Sequence, residues 1–231
     1  EPQFVNSELD LENLLEGLRA ARCGRLCIYG PPGTGKSAYA AYVARELGIP
    51  LMRKTGAELT SCYVGMTEKL IAAAFHSARQ QGAVLLIDEA DSFLQDRANA
   101  RASWEVSQVN ELLTQMESFP GIFCATTNLF KEIDRASLRR FDLKAEFRPM
   151  TTKQTVEFAK CCAGKLALGE ISAADLARLE RLDGLTPGDF AAVRRGGRFN
   201  PLKNTADFVT RLEGEVEMKG EGRKKPQIGF Y

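Results

Sequence analysis

Along the first two thirds of the chain, short apolar runs alternate with segments whose apolar residues recur every three or four positions. That alternation predicts parallel strands joined by crossover helices. Residues 25–29 form the first predicted strand. Residues 36–47 carry alanine and valine at helical spacing and stop at Gly48, a residue suited to a left-handed cap. Residues 49–52 begin a second strand. Residues 67–81 predict a helix with a threonine cap, an apolar face of Leu70, Ile71, Ala74, Phe75 and Ala78, and a stop at Gly82. Residues 83–87 are apolar at every position, as in a strand buried on both faces. A helix over 104–116, a fourth strand over 122–126 and a fifth over 143–147 complete the pattern.

At Pro149 the period changes. From Thr152 onward only helical spacing remains, over 152–168, 172–182, 188–195 and 204–219, with turn residues at Gly169, Gly184 and Asn200-Pro201. The reading is therefore an α/β domain over 1–150, a small all-α module over 151–219, and a basic, glycine-rich tail over 220–231. A length of 231 residues suits one large domain with a satellite.

Composition narrows the function classes. With 44% hydrophobic and 26% charged residues the chain is expected to be globular rather than disordered. Lys and Arg total 31 against 30 Asp and Glu, a net charge of +1, so no overall basic field is present to hold nucleic acid, and no nucleic-acid partner is expected. No apolar run approaches the roughly 20 residues that span a bilayer, and no signal-peptide pattern opens the chain, so a soluble, cytoplasmic protein without a transmembrane segment is expected. The chain opens on Glu1 rather than Met, as expected of a fragment or a processed product. Six cysteines with one histidine, His76, and no paired C-x2-C spacing fit reduced thiols used as small apolar residues better than a zinc site.

The strongest local chemistry is Gly30-Pro31-Pro32-Gly33-Thr34-Gly35-Lys36-Ser37, which fits G-x4-G-K-[ST] between a predicted strand and a predicted helix. Glycines there let backbone N–H groups wrap a polyphosphate, and the helix N-terminus adds partial positive charge. Lys36 would meet the β- and γ-phosphates and the Ser37 hydroxyl would ligate Mg²⁺. The run 84–87 ends in Asp88-Glu89. Asp88 would hold Mg²⁺, directly or through water, and Glu89 would orient and polarise the attacking water. Asn128 follows the fourth strand. In an open parallel sheet ligands bind beyond the carboxyl ends of strands, which brings Asn128 to the edge that carries Gly30 and Asp88.

These motifs in this order resemble the AAA+ ATPase family and its AAA branch: 30–37 as Walker A, 85–91 as Walker B, 125–128 as sensor 1, and Leu138-Arg139-Arg140-Phe141-Asp142 in the arginine-finger position. The resemblance implies a P-loop NTPase fold, a five-stranded parallel sheet of order 5-1-4-3-2 flanked by helices, with the small C-terminal all-α module as a lid. It implies ATP and Mg²⁺ as cofactors, ATP hydrolysis, and a homo-oligomeric ring, usually of six, that assembles with ATP. It also makes Arg139 or Arg140 a finger reaching a neighbour's γ-phosphate. Relatives often separate two arginines by two residues, whereas this pair is adjacent; Arg140 is favoured from its place before Phe-Asp. Gly188, in the stretch 184–190, would let the lid backbone approach the base or ribose. Cys62-Tyr63-Val64-Gly65 looks like pore loop 1, with Tyr63 and Val64 gripping a polypeptide substrate, and 99–103 like a weaker second pore loop. A tyrosine packed back on its own domain is the competing reading of Tyr63. The expected function is protein translocation, unfolding or remodelling; a slow nucleotide-dependent assembly switch is the alternative, and a DNA motor or loader a more distant one.

Overall fold

The computed structural model describes residues 2–94, 103–129 and 133–220. Its six strands form one sheet of order β1-β6-β2-β5-β4-β3. They are β1 (Asn6–Ser7), β2 (Gly24–Tyr29), β3 (Leu51–Thr55), β4 (Val84–Asp88), β5 (Ile122–Thr127) and β6 (Leu143–Arg148). The five predicted strands thus stand in the expected order 5-1-4-3-2. They pair in parallel, and the two-residue β1 adds a sixth strand that the alternation did not signal. β4 and β5 are buried at every position, which explains their unbroken apolar sequence. The second strand starts at Leu51 rather than residue 49. Ile49 still donates its N–H to the Ala44 carbonyl as the helix before it closes, and Pro50 has no N–H to give a ladder.

Contacts divide the chain into two units, each with its own core. The larger comprises Ser7–Pro31 and Lys36–Phe147. Its helices are α1 (Leu11–Ala21), α2 (Lys36–Leu47), α3 (Gly56–Leu59), α4 (Met66–Gln81), α5 (Asp91–Leu94), α6 (Ser103–Ser118) and α7 (Arg135–Leu138). Phe75 centres the core, its ring 5.2 Å from Phe123 and 5.4 Å from Phe119, and Phe123 lies 6.1 Å from Phe141. A fully buried side chain of this kind contributes about 1.5–3 kcal/mol. Helix α2 has the predicted bounds. Helix α4 corrects the threonine cap: Gly65, at φ 78°, occupies the N-cap, while Thr67 is buried inside the helix and its hydroxyl accepts the Ser61 N–H.

The smaller unit comprises residues 2–6, Pro32–Gly35 and 148–220. Its helices are α8 (Thr152–Lys165), α9 (Ala173–Leu179), α10 (Pro187–Gly196) and α11 (Thr205–Met218). Thr151, Ser172, Thr186 and Asn204 begin them as polar caps. Phe158, Phe190 and Phe208 meet edge to face in sequence through its core, with centroids 4.9 and 6.0 Å apart. The first of these helices ends three residues before the predicted 168, because Ala167 turns into the left-handed region at φ 53°. The basic tail beyond residue 220 lies outside the described residues.

Candidate nucleotide site

Parallel register brings the carboxyl ends of β2, β5, β4 and β3 to one edge, where Tyr29 pairs with Thr127 and Thr55 with Asp88. The polar residues following those ends meet there. Lys36, the first residue of α2, is buried and turns its ammonium back across the loop. Its Nζ donates to the carbonyls of Gly30 at 2.7 Å and Pro31 at 2.8 Å, and to Asn128 Oδ1 at 2.8 Å. Three donors thus meet three acceptors. Burial lowers the Lys36 pKa from the ordinary lysine value, and the charges of Asp88, Asp91 and Glu89 oppose that shift.

Asp88 is the best-satisfied carboxylate of the edge. Its Oδ1 accepts the hydroxyls of Ser37 at 2.7 Å and Thr126 at 2.5 Å, and its Oδ2 accepts Arg53 Nη2 at 2.5 Å. Burial by itself would raise this carboxyl, but the hydrogen bonds from Thr126, Ser37 and Arg53, with the Arg53 charge, outweigh it and hold the pKa below the ordinary aspartate value. Ser37 and Asp88 present hard oxygens side by side. No cluster of three or more His, Cys, Asp or Glu occurs among the described residues, and two protein oxygens completed by phosphates and water is the donor set that suits Mg²⁺.

Glu89 leaves β4 with φ 55°, left-handed and rare for a glutamate, which exposes its side chain beyond the strand end. The turn is over-determined. Glu89 N–H donates to Thr126 Oγ1 at 3.1 Å, and its carbonyl sits so close to Gly56 that a Cβ there would lie 2.4 Å away.

Four residues to which the sequence reading gave no role of their own complete this arrangement. Arg53 interrupts a strand run and reads as an ordinary edge cation; its partner is 35 positions away. Thr126 holds both Asp88 and Glu89. Asp91 accepts the Thr127 hydroxyl and the N–H of Asn128 at 3.2 Å and Leu129 at 3.4 Å, fixing the turn that carries Asn128. Gly56 gives Glu89 room. A polar residue inside an otherwise apolar strand was the available signal for Thr126, and an aspartate three residues after a buried strand the signal for Asp91.

In the smaller unit, Pro32–Gly35 belongs with the helical residues that include Gly188. Gly188 N–H donates to the Gly33 carbonyl at 2.9 Å, and a Cβ on Gly188 would lie 2.6 Å from Gly33 Cα. Gly188 thus sets its backbone against the phosphate-loop backbone itself. The approach is held by Asp189, whose Oδ2 accepts the Thr186 N–H at 2.7 Å, the Thr186 hydroxyl at 2.9 Å and Lys219 Nζ at 2.6 Å.

Outside this edge, Arg140 pairs with Glu117 of its own chain at 3.2 Å, whereas Arg139 is exposed. The segment is anchored on either side. Phe141 is buried in the core, and Asp142 accepts the Arg25 N–H, Nε and Nη2 at 2.9, 3.0 and 3.0 Å. Tyr63 is 74% exposed and Val64 86%, which removes the reading of Tyr63 as a ring packed on its own domain. Residues 99–102 of the second expected pore loop lie outside the described residues. Cys27 and Cys124 are buried small residues whose thiols burial pushes up to about 12, while Cys23 and Cys62 are exposed. Among the described residues no helix is long and apolar enough to cross a membrane.

A family model described as "ATPase family associated with various cellular activities (AAA)" matches residues 26–149. The proteins named spastin of Drosophila melanogaster and Drosophila erecta are 34% identical over 202 residues, which is 82% of this chain and 26% of each of theirs. Spastin of Drosophila mojavensis is 33% identical over 199 residues. The chain spans about a quarter of the length of these relatives. The matched span runs from β2 to the end of the sheet and includes the residues of the sheet edge described above, and on it the chain belongs to the AAA family of ATPases, with ATP hydrolysis as its reaction.

Proposed function

We propose that the chain is the ATPase module of an oligomeric ring, a hexamer by family expectation, that draws polypeptide through a central pore to unfold or remodel it. The observation that carries this reading is the loop before α4, where Tyr63 and Val64 hold large apolar side chains in water on a protein whose ATPase edge is internally satisfied. Apolar side chains gain nothing from hydration, so a polypeptide passing between copies of this loop is the partner that gives them burial.

In this reading the backbone of 30–35 and Lys36 bind the ATP phosphates, for which Lys36 exchanges its carbonyl partners. Ser37 and Asp88 would hold Mg²⁺, which would offset the negative charge that develops on the phosphates. Glu89 orients the attacking water and accepts its proton. Asn128, released from Lys36, hydrogen-bonds the γ-phosphate or the water. Arg139 or Arg140 of a neighbouring subunit stabilises the transferring phosphoryl group. Arg139 suits that role better than Arg140, whose guanidinium is engaged by Glu117.

The test compares hydrolysis with unfolding of a green fluorescent protein bearing an unstructured extension. Tyr63→Ala is expected to keep ATP turnover and lose unfolding. Intact unfolding by that variant would remove the threading role and favour a nucleotide-dependent assembly switch.

A further inference from the structure

We propose that Arg53 is the resident counter-ion of the metal site: it neutralises Asp88 while the site is free of metal and sets the Mg²⁺ concentration at which the nucleotide site loads. The inference rests on the nucleotide-site reading above.

Asp88 is only 6% exposed, and an ionised carboxylate buried to that degree needs compensating charge as well as hydrogen bonds. Its Oδ1 is occupied by two neutral hydroxyls, Ser37 and Thr126, which donate but bring no charge. Lys36 directs its ammonium donors to Gly30, Pro31 and Asn128. The cation in direct contact with Asp88 is Arg53, at 2.5 Å on Oδ2.

Arg53 is also suited to leaving. It stands on β3, two residues before the Thr55 that pairs with Asp88, and reaches the carboxylate from the solvent side with 57% of its side chain exposed. A guanidinium so placed is rehydrated as soon as it lets go, so its release costs little. The Ser37 and Asp88 oxygens that suit a divalent cation belong to the cluster Arg53 neutralises. Arg53 and the metal therefore compete for one carboxylate. The arrangement has a second effect: with metal absent, Arg53 spares incoming phosphates the repulsion of a bare Asp88.

A purely structural role, pinning β3 to β4, predicts something different. Removing Arg53 would then weaken nucleotide binding by the same factor with and without Mg²⁺.

The experiment measures equilibrium binding of a fluorescent ATP analogue to the whole chain carrying Glu89→Gln, over a series of free Mg²⁺ concentrations buffered with EDTA. Adding Arg53→Ala is expected to lower the half-saturating Mg²⁺ about fivefold and to weaken metal-free binding by a similar factor, the scale of a half-exposed ion pair. Arg53→Lys, which keeps the charge without the planar fork, is expected to fall between, and serves if the alanine variant does not fold. An unchanged half-saturating Mg²⁺, or an equal loss with and without metal, would overturn the proposal. A parent protein whose analogue binding is indifferent to Mg²⁺ would overturn the nucleotide-site reading, and the proposal with it.

Discussion

The carboxyl edge of the sheet and the loop before α4 treat their functional side chains in opposite ways. At the edge, Lys36 is tied to Gly30, Pro31 and Asn128, and Asp88 to Ser37, Thr126 and Arg53. In the loop, backbone groups are satisfied, as where Met66 N–H donates to the Tyr63 carbonyl at 3.1 Å, while the Tyr63 and Val64 side chains project into solvent. On the proposed reading the edge receives a small polar ligand by exchanging hydrogen bonds, and the loop receives something apolar from outside. Changes at the edge should therefore alter binding and chemistry, and changes in the loop should alter neither.

The largest expected effect is on hydrolysis. Glu89→Gln keeps the shape and the left-handed backbone but removes the base, and should slow ATP turnover about 1,000-fold in a single-turnover assay while analogue binding persists. A loss under about tenfold would take the proton-accepting role from Glu89 and bring the edge closer to a switch. Next is affinity. Lys36→Ala removes charge-assisted hydrogen bonds of about 1.5–3 kcal/mol each, so analogue binding should weaken by about 100-fold. Binding at the parent affinity would mean that Lys36 stays with Gly30, Pro31 and Asn128 when nucleotide arrives.

Gly188→Val, within the smaller unit, comes next in scale. Its Cβ must enter the 2.6 Å gap to Gly33 Cα, and forced repacking of this kind costs about 1–3 kcal/mol, readable as a lowered midpoint in thermal unfolding. An unchanged midpoint would show that this backbone contact yields freely. Smallest of all is the stability effect of Tyr63→Ala. An exposed ring with no packing to lose should shift stability by less than about 0.5 kcal/mol, and a larger loss would mean that the loop is held by its own domain after all.

The same contrast explains what could be read from the sequence. Strands β4 and β5 were plain because burial on both faces leaves unbroken apolar runs, and α2 because its alanines and Gly48 mark both face and end. The G-x4-G-K-S run at 30–37 was easy to single out because its residues are contiguous. Helix α1 was missed although Asp10 caps it and Leu11, Leu15 and Leu18 line its buried face, a pattern present but unused. Thr67 was misassigned because its hydroxyl answers a loop N–H instead of its own helix. Arg53 and the Arg140–Glu117 pair were illegible for a different reason. Each depends on a partner that only the sheet order and helix packing bring near, and local periodicity carries no trace of it.

The central claim is that the exposed loop before α4 meets a polypeptide while the sheet edge holds ATP. It is tested most directly by replacing Tyr63 with a benzophenone amino acid in the Glu89→Gln protein and irradiating it with ATP and the extended green fluorescent protein. The account predicts crosslinks from position 63 to the unstructured extension, present with ATP and lost when Lys36→Ala is added. Crosslinks confined to the chain's own residues, or equal in the presence and absence of ATP, would contradict it.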